Sequence, residues 1–129
     1  MTEGLKFAAI DIGSNAMRLL FCRVIEDKDS PKFIKESLFR MPLRLGHDAF
    51  TDGVISEENS MKLIDTVGAF QLMIKAYDPI AFRSCATAAL RTALNGKKLV
   101  DEINAKAVSY THLRAHETVL DLVCRLLLE

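Results

Sequence analysis

The stretch Phe7-Ala-Ala-Ile-Asp-Ile-Gly-Ser-Asn-Ala-Met-Arg-Leu-Leu20 decides how this chain begins to fold. An apolar run ends in Asp11, a small-residue turn follows, and a second apolar run leaves it, which predicts two strands joined as a hairpin. Gly13 has no Cβ to obstruct an anion and Asn15 tolerates left-handed backbone angles. The turn Gly13-Ser14-Asn15 therefore suits close approach of backbone N–H groups to a phosphate. Asp11, at the strand end, suits a hard cation such as magnesium, held through a water. An ordinary hairpin turn, with Asp11 capping local amides, accounts for the same residues.

Working outward, Glu26-Asp-Lys-Asp-Ser-Pro31 supplies a polar turn, and Lys32 to Leu43 extends the sheet with imperfect alternation around Phe33 to Phe39. Ser56 is a good helix N-cap with Glu57 and Glu58 in the first turn, where carboxylates favour the positive end of the helix dipole. Leu63, Val67, Phe70 and Ile74 form the expected core line of that helix, and Tyr77-Asp78-Pro79 stops it. Ile80 to Ser84 reads as a short strand and Thr87 to Leu94 as a helix. Asn95-Gly96 breaks it before a last helix over 97–106. The expected order, β-β-β-α-β-α-α, is a mixed α/β pattern with an initial three-strand meander. It is unlike a dinucleotide fold, in which strands and helices alternate from the start.

Three further motifs follow in order: Met41-Pro-Leu-Arg-Leu-Gly46, Gly53-Val-Ile-Ser-Glu57 and Ser84-Cys-Ala-Thr-Ala-Ala-Leu-Arg-Thr-Ala-Leu-Asn95. With the first, they resemble the exopolyphosphatase / guanosine pentaphosphate phosphohydrolase (Ppx/GppA) family over about residues 5–106. The resemblance implies part of an actin-like ATPase (ribonuclease H-like) domain and hydrolysis of a terminal phosphoryl group from polyphosphate or guanosine pentaphosphate. Carried over residue by residue, it implies Asp11 at the metal, with magnesium as cofactor, and Gly13, Ser14, Asn15 and Arg18 at the phosphate. Thr87 and Arg91, four apart on the expected helix, would hold phosphate from one face. For Arg18 a strand-surface position, and for Arg91 a surface salt bridge, are the plainer readings. Ala88 departs from the family's usual Ser, and Arg44 is expected near the cleft. The family's water-activating glutamate is not matched by Glu102 or Glu117, so this chain by itself is expected to be inactive. An actin-like sugar or acetate kinase and a non-catalytic phosphate-binding module are the alternatives.

From Val108 the pattern stops. Val108-Ser-Tyr-Thr-His-Leu-Arg-Ala-His-Glu-Thr118 and Leu122-Val-Cys-Arg-Leu-Leu-Leu-Glu129 resemble the translation of a transposon-type DNA sequencing adapter. Residues 1–107 are thus the expected incomplete domain, and 108–129 a non-native tail that removes His112 and His116 from consideration as a metal pair. A genuine amphipathic helix over 118–129 is the other reading. Across all 129 residues, 17 Lys and Arg balance 17 Asp and Glu, so no overall basic field favours nucleic acid. No run predicts a membrane span or signal peptide, and Cys22, Cys85 and Cys124 lack metal-type spacing, which suggests reduced cytoplasm. For the parent protein a homodimer is the expectation, although the sequence does not itself give the oligomeric state.

Overall fold

A computed structural model of the chain describes residues 4–26, 29–86 and 88–107. Strands β1 (Leu5–Ile12), β2 (Ala16–Ile25) and β3 (Lys32–Pro42) form an antiparallel meander, and β4 (Ala81–Ala86) joins the other side of β1 in parallel. The strand order is β3-β2-β1-β4. The parallel β1/β4 pairing requires a crossover, which helix α2 (Glu57–Tyr77) supplies.

β1 and β2 read as continuous apolar runs because both faces of the sheet are buried there. Ala8, Ile10, Ile12, Leu19 and Phe21 share one core cluster with Leu63, Val67, Phe70 and Ile74 of α2. The expected core line of α2 is therefore its buried line. On the opposite face Phe7, Ala9, Leu20, Cys22, Val24 and Ala81 form a second buried cluster. Ser56 caps α2 as expected: its backbone is extended and its side chain accepts from the Asn59 N–H at 3.1 Å. Asp78 ends the helix in the left-handed region, with φ 56°.

The imperfect alternation of β3 has a structural cause. Phe21 pairs with Ser37 and Cys22 with Lys35, so Glu36 is the extra residue of a β-bulge. The bulge aims Glu36 at Arg23, whose Nε donates at 3.1 Å, and at the Tyr77 hydroxyl, which donates at 2.5 Å. The Tyr77 ring lies parallel on Phe21, with centroids 4.1 Å apart. Lys6 Nζ donates to the Tyr77 carbonyl at 2.7 Å. The C-terminal end of α2 is thereby latched to three strands.

One element was not expected. A short helix α1 (Leu45–Thr51), which includes His47, precedes α2, so the order is β-β-β-α-α-β-α-α. Its sequence, Leu-Gly-His-Asp-Ala-Phe-Thr, is poor in helix formers and Arg44 gives it no side-chain cap, so propensity does not announce it. Tertiary contacts hold it. Leu45 and Ala49 enter the core, and buried Asp48 accepts from the Ser56 N–H and from Asn59 Nδ2, each at 2.9 Å. After β4 come α3 (Ala88–Thr92) and α4 (Gly96–Ala107), close to the expected spans. The tail 108–129 and the readings placed on it lie outside the described residues.

Candidate functional site

The parallel register sets Asp11 opposite Cys85 and Ile12 opposite Ala86. The carboxyl ends of β1 and β4 therefore coincide, and the hairpin turn and the start of the 84–95 motif emerge side by side. That edge is where open α/β sheets present ligand-binding groups.

Asp11 is 3% exposed. Arg18, its register partner on β2, donates Nε at 3.0 Å and Nη2 at 2.6 Å, both to Oδ2. The second carboxylate oxygen, Oδ1, is buried and has no hydrogen-bond partner among the described residues. An unsatisfied buried carboxylate oxygen costs free energy unless something fills the gap. Arg18 thus holds the carboxylate in place and spends two donors doing so.

In the turn, the Gly13 N–H donates to the Ala16 carbonyl at 3.0 Å, and a Cβ on Gly13 would stand 2.9 Å from that same oxygen. Glycine is required here by close approach. Neither Gly13 nor Asn15 adopts a positive φ, so the left-handed tolerance of Asn15 is not used. The Gly13 amide is already committed, whereas the Ser14 and Asn15 amides and the Ser14 hydroxyl make no hydrogen bond among the described residues.

The carbonyls of the turn are clamped from behind. Gly46 N–H donates to Ser14 O at 2.8 Å, and Leu43 N–H donates to Asn15 O at 3.1 Å. A Cβ on Gly46 would lie 2.9 Å from Ser14 Cβ. The second motif therefore exists, in part, to back the first. The third and fourth motifs knit in the same way: Asn95 accepts from the Ile55 N–H at 3.0 Å and donates to the Ile55 carbonyl at 2.9 Å, and Leu94 N–H donates to Gly53 O at 2.8 Å. Spacing along the chain gave no signal of these pairings.

Arg44 is exposed at the start of α1, beside the clamp, and Arg91 is exposed on α3. Among the described residues neither forms an ion pair, so the plainer reading of Arg91 as a salt-bridge residue finds no partner. Thr87 lies outside the described residues. Beneath α3, a cavity of about 200 Å³ opens between Ile12, Ser84, Ala86, Leu90, Val100 and Ile103; its apolar lining suits packing better than phosphate. Lys97 and Lys98 are exposed near the start of α4, in keeping with a solvated helix start.

Solved structures share the fold of this chain. An Aquifex aeolicus Ppx/GppA enzyme matches 79% of the chain with a TM-score of 0.70 at 24% identity. A Cytophaga hutchinsonii exopolyphosphatase matches 78% with a TM-score of 0.66 at 25% identity, and an exopolyphosphatase-like protein matches 80% with a TM-score of 0.66 at 30% identity. The fold is the Ppx/GppA fold. Its architecture is actin-like and ribonuclease H-like, as the resemblance of the four motifs implies. No family model matches the sequence, and no curated protein matches it. The chain spans 30–33% of the length of these Ppx/GppA structures. Among its described residues no helix is long and apolar enough to cross a membrane, and no three His, Cys, Asp or Glu side chains gather into a metal cluster.

Proposed function

We propose that this chain is the terminal-phosphate-binding part of a cytoplasmic Ppx/GppA-type phosphohydrolase, acting on inorganic polyphosphate or guanosine pentaphosphate. The observation that carries the reading is the buried Asp11 carboxylate beside the hairpin turn, with Oδ2 fixed by Arg18 and Oδ1 without a partner among the described residues. Structural neighbours that are exopolyphosphatases support the reaction class.

Magnesium fits these residues. It takes one or two carboxylates and leaves its other positions to waters and phosphate oxygens, so a single carboxylate with an unpaired oxygen is an adequate anchor. When bound, the ion supplies charge neutralisation for the phosphoryl group. Asp11 would hold it through Oδ1. Ser14 and Asn15 would donate their amides, and Ser14 its hydroxyl, to the phosphate oxygens. Gly13 lets the strands close behind the turn, and Arg18 keeps the Asp11 carboxylate in one orientation. Arg91 would meet the phosphate from the β4 side, with Thr87, four residues before it in sequence, as a further phosphate contact.

No residue here matches the water-activating glutamate, so the chain on its own binds without turnover. The test is calorimetric titration of tripolyphosphate into the chain with and without magnesium, for the unaltered protein and for Asp11→Asn. The expected result is metal-dependent binding that the substitution abolishes while the far-ultraviolet spectrum is kept. Equal binding by Asp11→Asn, or no binding at all, refutes the proposal. Phosphate release from polyphosphate by the chain alone refutes its inactivity.

A further inference from the structure

Arg40 is the register partner of Arg18, which is the register partner of Asp11. Directly paired residues of antiparallel strands project to the same face. Arg40, Arg18 and Asp11 therefore form one row across β3, β2 and β1, at the end of the sheet that carries the phosphate turn. Two arginines facing each other are unfavourable by themselves. Asp11 offsets only Arg18, since both of the donors described go to its Oδ2. Arg40 is exposed, and among the described residues its guanidinium forms no ion pair or hydrogen bond. The row thus carries an excess positive charge that nothing described neutralises.

We propose that Arg40 is a substrate-length determinant: it contacts a phosphoryl group of a linear polyanion whose terminal phosphate sits at Asp11 and the Gly13–Asn15 turn. This rests on the phosphate reading of that turn. Adjacent strands are about 4.8 Å apart, so the Arg40 backbone lies roughly 10 Å from that of Asp11. One phosphate cannot bridge that interval, whereas a chain of them can run along the row from the turn to the exposed edge of the sheet. Arg40 therefore acts on long substrates and not on the terminal phosphate itself. The plain alternative is that it is an edge-strand charge that deters strand-to-strand association and touches no ligand.

Orthophosphate and long-chain polyphosphate are titrated in the presence of magnesium into the full chain, Arg40→Gln and Arg40→Lys. Arg40→Gln should weaken the long chain roughly three- to tenfold and orthophosphate less than about twofold, with Arg40→Lys restoring most of the loss. The salt dependence of long-chain binding should become shallower in Arg40→Gln, as expected when one cation–phosphate contact is lost. Unchanged affinities for both ligands overturn the inference and leave the terminal site standing. Equal weakening of both ligands also overturns it, by placing Arg40 at the terminal phosphate. If the unaltered protein binds neither, the underlying phosphate reading fails as well.

Discussion

Gly46→Ala tests whether the second motif supports the first. The added Cβ would stand 2.9 Å from Ser14 Cβ and 3.3 Å from Ser14 O, with Phe50 Cε2 at 3.5 Å. Carbon atoms rest at about 3.5–4.0 Å, so α1 and the hairpin turn must separate by roughly 0.6 Å or more. Ser14 Cβ is fixed to its backbone and cannot swing away as a long side chain can. Overpacking of this kind costs about 1–3 kcal/mol, and stretching the Gly46 N–H to Ser14 O bond adds to it. Alanine returns up to about 1 kcal/mol of helix propensity, leaving a net loss of roughly 1–2 kcal/mol. For a domain of this size that is a fall in melting temperature of roughly 5–15 °C. Gly68→Ala is the control. Gly68 lies within α2, and a Cβ added there would meet nothing within 4 Å, so alanine should raise stability by about 0.5–1 kcal/mol. Thermal denaturation followed by circular dichroism reads both, and tripolyphosphate titration of Gly46→Ala reads the turn. If Gly46→Ala melts at or above the unaltered protein, as Gly68→Ala should, the clamp has no energetic role.

Two predictions concern titratable groups that hold helices in place. The Asp48 carboxyl lies below the usual carboxylate range, chiefly because it accepts the Ser56 N–H and then because Asn59 also donates to it. Its stabilising contribution is present above the unfolded value of 3.8 and fades as pH falls through the lower folded value; Asp48→Ala should lower the stability measured by urea denaturation at pH 7 by about 2 kcal/mol and flatten its acid limb. The Tyr77 hydroxyl is pushed above its ordinary value of 10.0 by burial and by its bond to Glu36. Stability from this group is complete below pH 10 and declines above it; Tyr77→Phe, which keeps the ring on Phe21, should make unfolding less sensitive to pH between 9 and 11 in a buffer series.

The elements legible in the sequence are those whose local signals agree with their surroundings. β1 and β2 are mainly apolar because both faces are buried, and α2 carries a cap at Ser56, a core line from Leu63 to Ile74 and a stop at Asp78-Pro79. Asp11 and the Gly13–Asn15 turn were legible for the same reason: a strand end, a carboxylate and small residues adjoin one another along the chain. α1 was not, because its helix is held by the burial of Leu45 and Ala49 and by Asp48 reaching to Ser56 and Asn59, none of which is a local preference. The bulge at Glu36 showed only as broken alternation.

The sequence by itself determined the order of the strands and main helices, the placing of a carboxylate before a small-residue turn, and the set of four motifs. Only the tertiary structure decided which donors of the turn are spent, that Arg18 fixes one oxygen of Asp11 and the other has no partner among the described residues, that Gly46 backs Ser14, and that Arg40 stands in line with Arg18. The division has a physical reason. Patterns of period 2 and 3.6, caps and turn residues act between neighbours in the chain, whereas hydrogen-bond partners and strand register arise only when segments distant in sequence are brought together.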